Sequence, residues 1–356
     1  MQAKKMLSKH IHAALNYAPI MSEYDLTHHN TLALQSATSS LCRLKTKADL
    51  NVVLKRALES PFRLVLGGGS NVVLWPEIKR LVIKVETRGI AIVEETNTHR
   101  IIEVAAGETW HEVVEHCVRN GWGGIENLAL IPGTAGAAPV QNIGAYGVEL
   151  ESVLHSLVAV DLTTGQTYDL SKDECGFSYR DSMFKQAGLG SWLITHIRLS
   201  LPINWQPVLE YPDLKLDKGL QKLGSKLTPY DVFESVCNIR RSKLPDPSLQ
   251  PNAGSFFKNP VIGYEAYEKL LRDYPDIVSY PLSDGKVKLA AGWLIQQCGW
   301  RGKRLGPVGM HTRQALVMVN YGGASADDVT ALANSIKADV MQNFGVSLEQ
   351  EPVNIY

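Results

Sequence analysis

The chain has 356 residues, of which 36 are basic, 36 are acidic and 45% are hydrophobic. This length predicts two or three domains, and the balanced charge excludes a general nucleic-acid or membrane surface. The five cysteines are scattered and contain no C-x-x-C pair, so neither a disulfide framework nor a zinc site is indicated, and we expect a reducing cytoplasm. No apolar run reaches the roughly 18 residues that span a bilayer.

Residues 1–21 are predicted to form an N-terminal extension. Lysines near the start are followed by a mixed segment without a clean apolar block, which does not fit a secretory signal peptide. Met21 opens a more ordinary beginning, so Met1 and Met21 are both candidates for the native start.

Apolar periodicity predicts an α+β chain. Strands are predicted at residues 64–66, 72–74, 81–85, 100–105, 193–201 and 316–319, with a hairpin at 155–170. Helices are predicted at residues 110–120, 228–241, 264–273, 287–298 and 325–340, the last opened by a capping box of Ser325 and Asp328. Residues 202–227, rich in Pro, Gly and Lys, are expected to be a domain boundary, and residues 346–356 are expected to be extended.

Two glycine-rich stretches are candidates for binding a cofactor. The first, Gly67-Gly68-Gly69-Ser70-Asn71, follows an apolar strand, and backbone N–H groups in such a turn can bind a diphosphate. It matches neither a Walker loop nor a G-x-G-x-x-G helix start, and taken alone it is more often a plain hairpin turn. The second, residues 126–147, is too rich in glycine for a core and too apolar for a solvated linker. A wall against a flat, diphosphate-bearing cofactor explains it better than a buried connection between domains.

The segment Asn252 to Pro260 has the most unusual composition in the chain. Ser255 stands between Gly254 and two phenylalanines, and Lys258 and Asn259 follow. The aromatic rings would exclude water, while Lys and Asn supply donors for an anionic substrate. Ser255 could therefore give a proton to a reacting centre. No G-x-S-x-G elbow surrounds it, so a nucleophilic serine is not indicated.

Three charged clusters have both a structural and a functional interpretation. They are Arg180 within residues 177–182, the cations Arg240, Arg241 and Lys243, and the tail carboxylates Glu349 and Glu351. The ordinary interpretations are a surface pair with Asp181, cations that suit a helix C-terminus, and exposed tail carboxylates. Binding of a phosphate-bearing substrate is the alternative for the second cluster.

Together these stretches resemble the UDP-N-acetylenolpyruvoylglucosamine reductase family, the flavoenzymes of bacterial peptidoglycan precursor synthesis. The resemblance covers nearly the whole chain from about Asn30. Its motifs are individually weak but highly specific as an ordered set, namely Gly67–Asn71, Asn127–Gly147, Tyr179–Ser182, Lys243–Pro247 and Asn252–Pro260. The segment Gln206–Tyr211 is similar to the tyrosine loop of the type I branch.

The resemblance implies an α+β fold, with an FAD-binding domain of the vanillyl-alcohol-oxidase type in two portions and a separate α+β substrate-binding domain. The implied units are a first FAD-binding portion at 22–90, a second FAD-binding portion at 91–205, the tyrosine loop and linker at 206–229, the substrate-binding domain at 230–345, and a C-terminal strand at 346–356 that returns to the FAD side. A monomer without nucleic-acid partner or membrane insertion is expected.

The resemblance also implies FAD as cofactor and NADPH as co-substrate. In the family, NADPH reduces the flavin, nicotinamide leaves, and UDP-N-acetylglucosamine enolpyruvate takes its place. Hydride passes from flavin N5 to the enolpyruvyl methylene carbon, and a proton completes the addition at the neighbouring carbon. This is UDP-N-acetylmuramate dehydrogenase activity, a step of cell-wall synthesis on which cell shape and division depend.

Matching positions imply roles for single residues. Ser255 matches the proton donor, and Arg180 and Glu349 match residues at the carboxylate end of the intermediate. The tail reads Leu-Glu-Gln-Glu-Pro where the family reads Leu-Glu-Pro-Glu, so Glu351 stays an alternative, although the Leu-Glu pair favours Glu349. The residues implied to bind FAD are Gly67, Gly68, Gly69, Ser70, Asn71, Pro132, Gly133, Thr134, Gly136, Ala137, Gln141, Asn142, Gly144, Ala145, Tyr146 and Gly147. Those implied to bind substrate are Tyr179, Tyr211, Arg240, Lys243, Asn259 and Gln314, and no metal ligand is implied.

Two other functions stay open at this stage. One is an FAD-dependent oxidase of the same fold that uses oxygen, which is disfavoured because the second glycine-rich stretch contains no histidine for covalent flavin attachment. The other is a non-catalytic flavoprotein that binds a sugar nucleotide. The joint presence of Ser255, Arg180 and a tail glutamate argues against it.

Overall fold

The computed structural model describes residues 24–356, so the expectations for residues 1–21 lie outside the described residues. Short strands and helices are mixed along residues 24–356, which confirms the predicted α+β class. Within that range, no helix has the length and apolar character that a membrane crossing requires.

A small parallel sheet forms the first region of the fold. This region contains β1 (Tyr24–Asp25), β2 (Ala37–Thr38), β3 (Leu41–Leu44), α1 (Asp49–Glu59), β4 (Arg63–Leu66), β5 (Val72–Leu74), β6 (Glu77–Ile78) and β7 (Leu81–Val85). The order β3-β7-β4 is parallel throughout. The central strand β7 buries consecutive residues because a central parallel strand is covered on both faces, and α1 packs Val53 and Ala57 into the same core.

An antiparallel sheet forms the second region. It contains β8 (Ile90–Glu95), β9 (His99–Ala105), α2 (Trp110–Arg119), β10 (Gly144–Ala145), β11 (Val148–Glu149), β12 (Leu154–Asp161), β13 (Thr167–Ser171), α3 (Met183–Gln186) and β14 (Trp192–Pro202). Five strands run in the order β13-β12-β14-β9-β8. The predicted alternation in β14 is confirmed, since Ile197, Leu199 and Leu201 are buried, and the predicted face of α2 packs on the same core.

Two further sheets and a long helix follow. This region contains α4 (Pro212–Lys215), α5 (Lys218–Leu223), α6 (Pro229–Lys243), β15 (Asn252–Ser255), β16 (Val261–Gly263), α7 (Tyr264–Asp273), β17 (Ser279–Pro281), β18 (Lys286–Leu289), α8 (Ala291–Gln297), β19 (Arg304–Leu305), β20 (Val308–Met310), β21 (Val317–Asn320), α9 (Ala326–Phe344) and β22 (Val353–Ile355). The sheets have the orders β15-β21-β20-β19 and β16-β18-β17. The predicted apolar face of α9 covers their shared core.

Helix α6 packs with the antiparallel sheet rather than with the later sheets. Its buried side chains Val232, Phe233, Val236 and Cys237 belong to the core that contains α2. The boundary at residue 230 stays a prediction. The helix that carries Arg240 and Lys243 nevertheless packs on the core of the antiparallel sheet.

The expectations for residues 287–289 and for the Gly67–Asn71 turn were wrong. Residues 287–289 are strand, because Val287 and Leu289 are buried while the lysines between and before them are not, and helix begins only at Ala291. The domain boundary expected at residues 202–227 stays a prediction, and this segment contains α4 and α5, which are anchored by the buried Leu214 and Leu220. The turn at Gly67–Asn71 is no hairpin, since β4 pairs with β7 and β5 with β22.

The tail of the chain joins the two ends of the fold. Residues 349–351 run antiparallel to residues 256–258, with Lys258 N donating to Glu349 O (2.9 Å) and Glu351 N to Phe256 O (2.9 Å). Directly afterwards, β22 pairs in parallel with β5 of the first sheet region. The tail therefore connects the strand that ends at Ser255 with the loop of the first glycine stretch.

We expect Ser325→Ala to destabilise α9. The Ser325 hydroxyl accepts from Asp328 N (3.2 Å), and the Asp328 carboxylate accepts from Ser325 N (2.9 Å). Loss of such a cap costs about 1 kcal/mol of unfolding free energy, which lowers the thermal midpoint of a chain of this length by roughly 1–2 °C. The matched control is Ser335→Ala on the exposed face of the same helix. Equal midpoints for both variants in calorimetry would contradict the capping role.

Candidate active site

The two glycine-rich stretches lie directly against each other. Ser70 Oγ donates to the Pro132 carbonyl (3.1 Å). A Cβ on Gly67 would lie 2.4 Å from Thr134 Oγ1, and one on Gly68 would lie 2.9 Å from the Gly133 Cα. The close approach therefore requires glycine at both positions, as expected where backbone must come near a ligand or another segment.

A cleft opens between these stretches and the antiparallel sheet. It consists of adjoining cavities of about 390 and 160 Å³. Both are lined by Gly67, Thr134, Ala137 and Lys185 and by Val353 from the tail. The other predicted cofactor residues that line one or both are Gly68, Gly69, Ser70, Asn71, Pro132, Gly133, Gly136 and Gln141.

The residues of the cleft fit an anionic dinucleotide such as FAD. Thr134 Oγ1 is buried and has no hydrogen-bond partner among the described residues, which is costly unless a ligand supplies one. The ammonium group of Lys185 brings positive charge, and burial, with Lys258 nearby, lowers the pKa of Lys185. An anion in the cleft would give Thr134 Oγ1 a hydrogen-bond partner and would stabilise the charged form of Lys185.

The remaining predicted cofactor residues lie beyond the cleft. Asn142 is buried at φ 44°, and its amide donates to the Ser178 carbonyl (3.3 Å) and the Glu149 carboxylate (3.2 Å). Gly144 and Ala145 form β10, which pairs with β11. Tyr146 and Gly147 face the residues around Val208 and Tyr211. This half of the stretch borders a second site beside the cleft, which contains Arg180 and Glu351 and which we call the charged pocket.

Arg180 is fixed in that pocket by backbone groups. Its guanidinium donates to the Gly144 carbonyl (2.8 Å) and to the Asn142 carbonyl (3.5 Å). Its Nε lies 3.4 Å from Glu351 Oε1, and the two side chains are only 19% and 12% exposed. The alternative of a surface pair with Asp181 was wrong, because the Asp181 carboxylate accepts from Gln186 instead.

The two tail glutamates occupy different environments. Glu349 is 69% exposed and pairs with Lys258 (2.5 Å). Burial raises the pKa of Glu351, although the cations Arg180, Lys185 and Lys258 oppose that shift. The backbone pairing places Glu351 opposite Phe256, one residue beyond Ser255. The geometry thus favours Glu351, the alternative, over Glu349 as the carboxyl group of the pocket.

Ser255 ends β15 with an exposed side chain. Gly254 before it has φ +68°, a conformation that favours glycine, while Phe256 and Phe257 after it are fully buried. A third cavity of about 610 Å³ is bordered by Gly254 and by Pro132. The serine therefore belongs to a segment that faces the space between the cofactor cleft and the later sheets.

Tyr179 and Tyr211 each lie among other aromatic or charged groups. The Tyr179 ring lies 5.3 Å from the Arg180 guanidinium and 4.5 Å from the Lys288 ammonium, and burial raises the pKa of Tyr179. The Tyr211 ring meets Tyr146 edge to face, with centroids 4.9 Å apart. Burial raises the pKa of Tyr146 to about 12.

The other predicted substrate residues already have protein partners. Arg240 is partly buried, donates to the Leu130 carbonyl (3.2 Å), and has a buried Nε without a partner among the described residues. Lys243 pairs with Asp213 (2.6 Å). The carboxamide oxygens of Asn259 and Gln314 accept from Ala291 N (2.9 Å) and Leu316 N (3.3 Å), so their amide nitrogens are oriented by these bonds.

Sequence reasoning missed Lys185 and Lys288, which bring positive charge to the site. Lys185 follows Arg180 by five residues, and its ammonium donates to the Arg180 carbonyl (3.0 Å). Its proximity to a candidate arginine was a usable signal. The sequence around Lys288 contained no comparable signal. Lys288 is more than 100 positions from Tyr179 and comes near its ring only after β18 has paired with β16 in the folded chain. Among residues 24–356, no cluster of three or more His, Cys, Asp or Glu side chains could hold a metal ion.

A cleft lined by two glycine-rich stretches beside a charged pocket, on a fold with a further α+β region, fits an FAD-dependent oxidoreductase, and the comparisons with known proteins support this class. The model of an FAD binding domain matches residues 39–171. The model of the UDP-N-acetylenolpyruvoylglucosamine reductase C-terminal domain matches residues 246–355.

Full-length relatives define the family. The chain is 52% identical over 331 residues to the UDP-N-acetylenolpyruvoylglucosamine reductase of Bordetella pertussis, covering 92% of this chain and 93% of the relative. It is 49% identical over 339 residues to that of Paraburkholderia xenovorans, covering 94% and 98%. A solved UDP-N-acetylenolpyruvylglucosamine reductase from Thermus caldophilus has the same fold, with TM-score 0.64 and 24% identity over 92% of this chain and 96% of that one. The chain belongs to the UDP-N-acetylenolpyruvoylglucosamine reductase family.

We expect Gly67→Ala to weaken retention of FAD. The new methyl group would collide with Thr134 Oγ1 at 2.4 Å and force the two glycine-rich stretches apart. The matched control is Gly263→Ala, where an added Cβ meets no atom within 4 Å. We expect the FAD affinity to fall at least tenfold relative to the control, which corresponds to a loss of about 1.4 kcal/mol or more of binding free energy. The measurement is the FAD bound per protein after gel filtration, read from the visible absorbance. Equal flavin content in both variants would remove the cleft from consideration as the cofactor site.

Proposed function

We propose that the protein is an NADPH-dependent flavoenzyme that reduces UDP-N-acetylglucosamine enolpyruvate to UDP-N-acetylmuramate in peptidoglycan precursor synthesis. Family membership over more than nine-tenths of the chain supports the cofactor and the reaction. The observation that carries the residue roles is the partly buried pair of Arg180 and Glu351 beside the strand that ends at Ser255.

The glycine-rich stretches hold the cofactor in this proposal. The backbone of Gly67–Asn71 and of Pro132–Ala137 binds the diphosphate, and Lys185 adds a positive charge. When bound, the flavin accepts a hydride from NADPH and supplies it to the enolpyruvyl methylene carbon. Apolar side chains of the cleft, among them Val65, Val85 and Ile194, exclude water from the ring system.

Arg180 stabilises the charge that develops next to the substrate carboxylate. The carbonyls of Asn142 and Gly144 fix the guanidinium before any substrate binds. Such preorganised groups need no rearrangement when charge appears, and they act strongly because the pocket is shielded from water.

Glu351, rather than Glu349, takes the role of the tail carboxyl group. Its raised pKa favours a protonated side chain, which could donate a hydrogen bond to the substrate carboxylate instead of repelling it. The Glu349 side chain is exposed, and Lys258 neutralises its charge, so Glu349 contributes mainly to the charge of the surface.

Ser255 donates the proton that completes the addition. A hydroxyl is a weak acid, but the carbon next to the carboxylate becomes strongly basic once the methylene carbon has taken the hydride. The exposed end of β15 leaves the hydroxyl accessible to a bound substrate. The buried Phe256 and Phe257 behind it fix the direction of the strand.

The nucleotide of the substrate is bound by Tyr211, Lys243, Asn259, Gln314 and Arg240, with Tyr179 beneath Arg180. Lys243 now pairs with Asp213, both partly exposed. An exposed ion pair contributes only about 0–1 kcal/mol, so the Lys243 ammonium can turn to a substrate diphosphate at small cost. The conversion runs in the cytoplasm in this proposal, supported by five cysteines that are all free thiols.

Stopped-flow absorbance of the flavin tests the proposed function directly. NADPH should bleach the flavin spectrum, and anaerobic addition of the enolpyruvyl nucleotide should restore it. Restoration by oxygen but not by the nucleotide would indicate an oxidase. No bleaching by NADPH together with tight nucleotide binding would indicate a non-catalytic binding protein.

Ser255→Ala should separate the two half-reactions. Flavin reduction by NADPH should keep its rate, because no proton from Ser255 is involved. Reoxidation by the enolpyruvyl nucleotide should slow by about 10²–10⁴, the usual value of a positioned general acid. Stopped-flow traces of each half-reaction measure both rates, and reoxidation at the wild-type rate would rule out Ser255 as the donor.

Glu351→Gln and Glu349→Gln form a matched pair in the tail. We expect Glu351→Gln to lower the rate of flavin reoxidation by about 10²-fold, the lower end for loss of a group that stabilises developing charge. Glu349→Gln should change it by less than about fivefold, because the Glu349 side chain is 69% exposed and solvent screens its charge. The reverse order of effects would return the role to Glu349.

A further inference from the structure

The tyrosine loop, residues 206–211, is preceded by Trp205, which binds to residues 123–126. The Trp205 indole Nε1 donates to Glu126 Oε1 (2.6 Å). The same ring packs on Gly123 so closely that an added Cβ there would lie 2.2 Å from Trp205 Cδ1. The loop therefore begins from a fixed position beside the core of the antiparallel sheet.

Glu126 is an unusual anchor because its carboxylate is buried. The residue is 1% exposed, and its second oxygen accepts from Gly124 N (2.6 Å). No cation pairs with it among residues 24–356, and burial raises its pKa. A buried acid without a cationic partner is costly, and the catalytic steps above do not use it.

Asn127 fastens the middle of the loop. Its side chain is 1% exposed, and Nδ2 donates to the carbonyls of Tyr146 (2.8 Å) and Val208 (2.9 Å). One amide group therefore joins the second glycine-rich stretch to the tyrosine loop. Tyr211 follows Val208 by three residues, and its ring packs on Tyr146. On the N-terminal side of Tyr211, the two supports of its ring, one through the backbone and one through ring contact, both depend on Asn127. On the C-terminal side, the Tyr211 carbonyl accepts from Leu214 N (3.0 Å) and Lys215 N (2.9 Å) at the start of α4.

Between Trp205 and the start of α4, the loop makes few buried contacts, of which Leu209, partly buried against the core of the antiparallel sheet, is one. Val208 is 39% exposed and Tyr211 38% exposed, and Glu210 makes only an exposed ion pair with Lys215. A segment with few buried contacts samples many conformations unless specific bonds restrain it. Apparent affinity falls in proportion to the fraction of molecules whose site is already in the competent arrangement.

We propose that Asn127, together with the Glu126–Trp205 pair, positions Tyr211 and thereby sets the affinity of the site for the substrate nucleotide. The inference rests on the proposed function, in which Tyr211 contacts that nucleotide. Asn127, Glu126 and Trp205 are positioning residues that act through the loop. Because Asn127 also holds the Tyr146 carbonyl, the wall of the cofactor side and the substrate loop share one hydrogen-bonded link.

UDP is the probe for the test, titrated into the flavin-loaded protein by calorimetry. Asn127→Ala removes both carbonyl bonds, and Trp205→Phe keeps an aromatic ring on Gly123 while removing only the donor to Glu126. We expect UDP affinity to fall about thirtyfold for Asn127→Ala, which loses two hydrogen bonds, and about fivefold for Trp205→Phe, which loses one, since each bond contributes about 1 kcal/mol. The control is Asn120→Ala, which removes a similar amide–carbonyl bond at the exposed end of α2, and it should bind UDP as the wild type does.

Steady-state kinetics and a double-mutant cycle distinguish positioning from general damage. For Trp205→Phe and Asn127→Ala, the KM for the enolpyruvyl nucleotide should rise while kcat and flavin content stay within twofold of wild type. In a Tyr211→Ala background, Asn127→Ala should weaken UDP binding less than twofold further, because a residue that acts through Tyr211 has nothing left to position.

Three results would overturn the inference. One is that Asn127→Ala and Trp205→Phe both bind UDP with wild-type affinity while Tyr211→Ala binds UDP weakly. Another is full additivity of Asn127→Ala and Tyr211→Ala. If Asn127→Ala does not fold, Trp205→Phe alone decides the first of these. The third is wild-type UDP affinity in Tyr211→Ala, and that result would also remove Tyr211 from the proposed function, whereas the first two leave that function intact.

Discussion

The pairing of the tail with two distant segments places the central groups of the site. Residues 349–351 bond to residues 256–258, and β22 then bonds to β5. The first pairing sets Glu351 beside the strand of Ser255, and the second sets it beside the loop of Asn71, whose amide also lies 3.4 Å from the Glu351 carbonyl. Arg180 reaches the Glu351 carboxylate from the other side. The groups to which we assign catalytic roles are thus placed by backbone hydrogen bonds of the tail.

The charges of the pocket are arranged so that cations outnumber anions before substrate binds. Arg180, Lys185 and Lys258 surround Glu351, and burial opposes the charge of both Lys185 and Glu351. A substrate that brings a carboxylate and a diphosphate would supply the missing negative charge. In the proposed function, the same excess suits the binding of NADPH, so that one pocket serves both nucleotides in turn. Lys258 links this pocket to the surface, because its side chain is 15% exposed while that of its partner Glu349 is 69% exposed.

Much of the fold could be predicted because local patterns decided it. The alternation in β14, the apolar face of α2 and the capping box of α9 are each visible in a short window of sequence, and each was confirmed. The sheet formed by β16, β17 and β18 was missed because its strands are only three or four residues long and half exposed. Helices α4 and α5 were hidden by the glycines and prolines around them.

The site was predictable as a set of residue types but not as an arrangement. Glycines at 67–69 and the isolated serine at 255 stand out because ordinary surfaces and cores do not need them. The choice between Glu349 and Glu351 depends on burial, which a spacing of two residues on a strand does not reveal. Asn127 and Glu126 looked like components of a cofactor wall, and only the folded chain brings Trp205 and Val208 to them.

The parallel pairing of β22 with β5 has a consequence for biosynthesis. Val353 of β22 lines the cofactor cleft, yet the tail that carries it leaves the ribosome some 280 positions after the loop that it meets. A nascent chain can form the parallel and antiparallel sheets early, but the cleft lacks one wall until β22 has emerged. The cleft is therefore complete only after β22 has been synthesised and has paired with β5.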